Sequence, residues 1–149
     1  MGGEGPRPPV SGRGRAWDGR LCSAAPDKPR RVLVNHPRRL VFIGRFERRK
    51  GIKELTAALE GLVERHDFLF EFIGPIPAEK RIHSDKVKYY GALYDKVQIQ
   101  TILQRADVLV TPSYAEGMPN VILEGMARGW VVIATNVGAV SAQVASDNG

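Results

Sequence analysis

The stretch VLVTPSYAEGMPNVILE, Val108–Glu124, decides the architecture. It opens on an apolar run, Val108-Leu109-Val110, that is stopped by Thr111-Pro112-Ser113. A helix is then predicted from about Pro119 to Arg128, with proline in its first turn and Gly129 just past its end. A short apolar strand that feeds a helix through a polar loop is half of a βαβ unit.

The same alternation extends outward on both sides. Upstream, Leu40-Val41-Phe42-Ile43 reads as a buried strand ending at Gly44, and residues 51–65 place Ile52, Leu55, Leu59 and Leu62 on one helical face. Phe68 to Ile73 is a second strand ending in Gly74-Pro75, residues 75–85 are irregular, and Val87 to Tyr90 is a third strand ending at Gly91. Ile99, Ile102, Leu103 and Ala106 follow helical spacing. Downstream, Val131 to Thr135 is a fifth strand and Ser141–Ala145 a short last helix. Strands alternating with helices demand right-handed crossovers and a parallel sheet. The strands are apolar throughout rather than alternating, so both sheet faces should be covered. The fold class is therefore α/β, a Rossmann-like doubly wound sheet of five strands, with the common order 3-2-1-4-5. The last residues, Asp147-Asn148-Gly149, carry a tight-turn signal, which predicts a domain incomplete at its C-terminus.

Charge divides the chain. Residues 1–39 carry nine basic and three acidic residues, so the whole formal charge of +6 falls there, while residues 40–149 carry thirteen of each sign. Residues 1–29 hold six Gly and five Pro, a composition that cannot bury enough apolar surface to offset its ordering entropy. The expected organisation is a disordered basic tail or linker over residues 1–31 and a partial Rossmann-like domain over residues 32–149. The lone Cys22 allows neither an intrachain disulfide nor a cysteine zinc site. His36, His66 and His83 lack metal-ligand spacing. No apolar run reaches the roughly 20 residues of a membrane span. A G-x-G-x-x-G fingerprint after the first strand and a Walker A motif are both missing. Arg48-Arg49-Lys50 has no aromatic stacking platform beside it, which argues against nucleic acid.

With strands 1 and 4 as neighbours, the ligand crevice opens beyond their carboxyl ends. Two loops should form it. The loop after strand 1, Gly44-Arg45-Phe46-Glu47-Arg48-Arg49-Lys50-Gly51, offers anion chemistry: Arg45 a planar donor fork, Lys50 a mobile point charge. The loop after strand 4 feeds a helix N-terminus, where free N–H groups and the helix dipole attract anions. Pro119 has no N–H, so the candidate donors are Gly117, Met118, Asn120 and Val121. Glu116 stands before this helix and Glu124 within it, separated by a helical rise of roughly 12 Å. A diphosphate at the helix start would have one carboxylate on each side, each available to sugar hydroxyls.

In order and spacing these residues resemble the C-terminal donor-binding domain of retaining glycosyltransferases of family 4, which have the GT-B fold. Arg45 and Lys50 match that family's G-R-x(4)-K-G loop, and Glu116 through Glu124 match its E-x(7)-E motif. Pro112-Ser113, Glu124-Gly125-Met126-Ala127 and Val132-Ile133-Ala134-Thr135 also fit. The resemblance implies a catalytic set of Glu116, Arg45 and Lys50. Arg45 and Lys50 would bind the donor diphosphate, with Gly44 at the turn, and stabilise the leaving nucleoside diphosphate. Glu116 would orient the donor sugar, Glu124 would hold the ribose hydroxyls, and Gly117, Met118, Asn120 and Val121 would line the site. Leu93 would pack on the base. The implied reaction is transfer of a sugar to an acceptor hydroxyl with retained anomeric configuration, without metal or cofactor. The implied partners are a nucleotide-diphosphate sugar and an acceptor glycan, glycolipid or small molecule held by an N-terminal domain absent from this chain. The implied location is the cytoplasm or the cytoplasmic face of a membrane, with no nucleic acid involved. The alternative is a non-catalytic nucleotide-sugar module that works with a separate acceptor subunit.

Overall fold

A computed structural model describes residues 37–144. The expected tail over residues 1–31, Ala145 of the expected last helix and the turn signal Asp147-Asn148-Gly149 lie outside the described residues. Five strands, β1 (Arg38–Ile43), β2 (Phe68–Ile73), β3 (Val87–Tyr89), β4 (Val108–Thr111) and β5 (Val131–Ala134), form one sheet in the order β3-β2-β1-β4-β5. Every strand pair is parallel. β1 therefore has β2 on one side and β4 on the other, and their ends create the switch point expected from the sequence. Four helices, α1 (Ile52–Leu62), α2 (Lys96–Leu103), α3 (Asn120–Ala127) and α4 (Val140–Gln143), cover the two faces.

The period-two alternation of strand side chains sorts the core into two layers. On one face Phe42, Phe70, Phe72, Val87 and Val110 pack with Ile52, Leu55 and Leu59 of α1. The Phe72 ring stacks on Tyr89, 4.8 Å between centroids and 4° from parallel. On the other face Val41, Ile73, Leu109 and Val132 pack with Ile102, Leu103, Ile122 and Val140. Ile122 is completely buried, so this one α3 side chain contributes roughly 1.5–3 kcal/mol. α3 lies close over the sheet because Gly125 has no side chain: a Cβ there would meet the Trp130 ring at 2.9 Å and Leu109 at 3.1 Å.

Several boundaries differ from the sequence expectation, each for a local reason. α3 begins at Asn120, with Pro119 as its extended N-cap rather than a first-turn residue. α2 stops at Leu103, and Ala106 is buried beyond the helix end. Leu62 is 41% exposed, since α1 ends there and leaves the sheet. Residues 78–80 form a short 3-10 turn. Trp130 precedes β5 and packs as core. β5 departs from two-sided burial, because Val131 and Ile133 are 57% and 53% exposed. It is the sheet edge, and α3 and α4 cover only its other face.

Candidate functional site

Two loops meet at the switch point. After β1, the chain passes Gly44, whose N–H donates to the Ile73 carbonyl at 2.9 Å, and turns through a 3-10 helix at Arg48–Lys50. Gly51 closes that turn at φ +65, and a Cβ on it would stand 2.0 Å from the Pro112 carbonyl oxygen. The loop after β4 is thus pressed against the loop after β1, and only glycine permits both the conformation and the approach. The Tyr114 N–H donates to the Arg49 carbonyl at 2.7 Å and fastens the two loops together. A third segment backs the second loop. Ala139 N–H donates to the Gly117 carbonyl at 3.0 Å, and Gly138, at φ +58, lets its backbone reach Glu116.

Glu116 is the centre of this arrangement. Its side chain is 7% exposed, and Oε1 accepts from Lys50 Nζ at 2.5 Å and from Ser113 Oγ at 2.6 Å. Arg49 Nη1 lies 3.9 Å from Oε2. Burial alone pushes the Glu116 carboxyl pKa up, but hydrogen bonds from Lys50 and Ser113 and the charges of Lys50 and Arg49 outweigh it and hold the pKa below its ordinary value. Ser113 is itself fixed, because the Thr135 hydroxyl donates to its carbonyl. The carboxylate is therefore ionised, oriented and pre-positioned.

Around this centre lie unused donors. The N–H groups of Gly117, Met118, Asn120 and Val121 donate to no other group among the described residues, whereas Ile122 N–H already serves the Pro119 carbonyl at 3.0 Å. They sit at the N-terminal end of α3, where the helix dipole favours negative charge. Arg45 is exposed, and its guanidinium makes no ion pair or hydrogen bond among the described residues. Glu124 is exposed on α3, with its carboxylate equally uncommitted. Its carbonyl accepts from Arg128 Nη1 at 2.9 Å. Met118 is 66% exposed. Val121 and Leu93 are half-buried against the core layer beneath α3, and so are partly committed to packing. Three groups were not singled out from the sequence: Ser113, Arg49 and Thr135. Ser113 has a sequence signal in the Pro112-Ser113 pair that fits the family pattern, but nothing there assigns it to the Glu116 carboxylate. Among the described residues no three His, Cys, Asp or Glu side chains converge to hold a metal ion. No helix among them is long and apolar enough to cross a membrane.

Comparison with known proteins agrees with this architecture. The family model described as glycosyl transferases group 1 matches residues 37–149. TuaC of Bacillus subtilis (strain 168), a glycosyltransferase assigned to teichuronic acid biosynthesis, is 39% identical over 101 residues, which cover 68% of this chain and 25% of that protein. The D-inositol 3-phosphate glycosyltransferase of Pseudarthrobacter chlorophenolicus is 31% identical over 114 residues, 68% of this chain and 27% of that one. The chain thus spans about a quarter of the length of these relatives. Among solved structures, the C-terminal domain of a group 1 family protein (LpcC) from Francisella tularensis superposes with a TM-score of 0.62 at 23% identity, covering 75% of this chain and 66% of that one. Sucrose-phosphate synthase from Thermosynechococcus elongatus gives 0.59 at 31% identity, covering 72% and 30%. The five-stranded parallel sheet is that of the C-terminal half of a GT-B fold. The chain belongs to the group 1 glycosyl transferases.

Proposed function

We propose that this chain is the donor half of a retaining glycosyltransferase of family 4, and that it binds a nucleoside-diphosphate sugar at the meeting of its two loops. The observation that carries the proposal is the Lys50–Glu116–Ser113 cluster beside the free N–H groups at the start of α3. It sets a cation and backbone donors next to an ionised carboxylate, and a diphosphate and the sugar attached to it need those two kinds of group side by side.

In this reading Arg45 and Lys50 hold the diphosphate, with the amides of Gly117, Met118, Asn120 and Val121 and the turn at Gly44 completing the cradle. When the bond from the anomeric carbon to the diphosphate oxygen breaks, negative charge grows on that oxygen. The two cations and the helix-end amides stabilise it. These groups supply the charge a divalent ion would otherwise bring, so neither metal nor cofactor is required. Glu116 orients the donor sugar and Glu124 the ribose hydroxyls, while Leu93 borders the base. The new bond forms between the anomeric carbon and an acceptor oxygen on the same face of the sugar. The acceptor is held by a further domain, and the reaction belongs at the cytoplasmic side of a membrane or in the cytoplasm.

Calorimetric titration with UDP, GDP, ADP and their sugars tests the proposal. Binding of one nucleotide that is weakened at least tenfold by Arg45→Ala and by Glu124→Ala supports it. No binding, or variants that bind like the parent, rejects it.

A further inference from the structure

We propose that Ser113 is a positioning residue: its hydroxyl holds the Glu116 carboxylate in place when Lys50 turns from that carboxylate to a diphosphate. The proposal rests on the donor reading above, in which Lys50 is a diphosphate ligand and Glu116 meets the donor sugar.

Two donors converge on one oxygen. Lys50 Nζ and Ser113 Oγ lie 2.5 Å and 2.6 Å from Glu116 Oε1. Oε2 has Arg49 Nη1 at 3.9 Å, beyond hydrogen-bond reach, and Arg49 is itself tied through Nε to Glu47 at 2.7 Å. The two donors differ in what else can claim them. Lys50 carries its ammonium on a flexible four-carbon stem at the end of the 3-10 turn, and its side chain is 18% exposed. A diphosphate carries more negative charge than one carboxylate and draws that ammonium. Ser113 has no such alternative. It is 1% exposed, and its carbonyl accepts from the Thr135 hydroxyl. The next residue, Tyr114, donates its N–H to the Arg49 carbonyl at 2.7 Å, which ties this segment to the first loop. A serine hydroxyl has a single proton to give, and an ionised carboxylate can only accept it. Once Lys50 has turned away, Ser113 is the side chain that still donates to Glu116 among the described residues.

Diphosphate affinity should then depend on Ser113 through Glu116 alone. Without the hydroxyl, withdrawal of Lys50 strands a carboxylate that is 7% exposed, and the diphosphate binds against that penalty. In Glu116→Gln the side chain at this position is neutral, so Lys50 is held less firmly and its withdrawal strands no charge. Burial raises the Glu116 pKa, and the hydrogen bonds from Lys50 and Ser113 are the foremost of the contacts that bring it below its ordinary value. The charged groups facing Glu116 are Lys50 and Arg49, both from the first loop; residues 135–139, which back it, include none.

The test titrates the tightest binder among UDP, GDP and ADP into the 149-residue chain, into Ser113→Ala, into Glu116→Gln and into the double variant. Ser113→Ala should weaken binding at least threefold. Glu116→Gln should bind at least as tightly as the parent, and the double variant should match Glu116→Gln within twofold. A loss from Ser113→Ala that is equal in both backgrounds would show a merely structural serine and overturn the proposal, as would weaker binding by Glu116→Gln. Should the alanine variant unfold, Ser113→Cys replaces the hydroxyl by a much weaker donor and is read in the same way. Carbon NMR of the Glu116 carboxyl needs no nucleotide: Ser113→Ala should raise its pKa, and an unchanged value would also overturn the proposal. If the parent binds none of the nucleotides, the donor reading fails and takes this role of Ser113 with it. If parent and Ser113→Ala bind nucleotide equally, the donor reading stands and the role of Ser113 alone is rejected.

Discussion

Lys50 Nζ lies 2.5 Å from Glu116 Oε1, and the two residues are 66 positions apart. They come from loops at the ends of the adjacent strands β1 and β4, so this contact exists only because β1 sits between β2 and β4. It satisfies a nearly buried carboxylate and engages the lysine that the proposed diphosphate site uses.

Removing one partner should therefore cost more than removing both. Lys50→Met leaves Glu116 with Ser113 as its main donor and should destabilise the fold by about 1.5–3 kcal/mol. Glu116→Gln added to Lys50→Met should recover a large part of that loss. Urea unfolding of the two single variants and the double variant measures the coupling. Strict additivity would show that the pair contributes nothing to folding.

The pH dependence follows from Glu116. Its folded pKa lies below the ordinary 4.5, so the unfolded chain takes up the proton more readily. The stabilisation is complete above 4.5 and disappears as pH falls through the lower folded value. The parent should thus lose stability relative to Glu116→Gln as the medium is acidified below the ordinary carboxylate range, with no such divergence near neutrality. Parallel unfolding curves of both proteins through the acid range would contradict this.

Two glycines should respond to alanine in opposite senses. Gly51→Ala forces a side chain onto a positive φ and to within 2.0 Å of the Pro112 carbonyl, so a loss of at least about 1–3 kcal/mol is expected. Gly61 lies within α1 with nothing within 4 Å of its Cβ position, and alanine there should add about 0.5–1 kcal/mol. Thermal melts of the two variants read the sign directly.

Strand order, the two crevice loops and the helix after β4 were all legible in the sequence. Each depends on a local signal: an apolar run, a glycine stop, a proline at a helix entrance. The bonds within the crevice were not. Ser113 and Arg49 acquire their positions relative to Glu116 only when Gly51 brings Pro112 against the first loop, a contact no local pattern encodes. The exposure of Val131 and Ile133 was hidden for a similar reason. The expected order already makes strand 5 an edge, but an apolar run does not tell whether helices cover one of its faces or both.

The central claim is that Arg45, Lys50 and the start of α3 form a nucleoside-diphosphate site. The most direct measurement is the affinity of this chain for UDP, GDP and ADP by calorimetry, repeated with Arg45→Ala. The predicted result is saturable binding of one of the three, weakened at least tenfold in the variant, which corresponds to about 1.4 kcal/mol. Binding of none, or equal binding by parent and variant, would contradict the assignment.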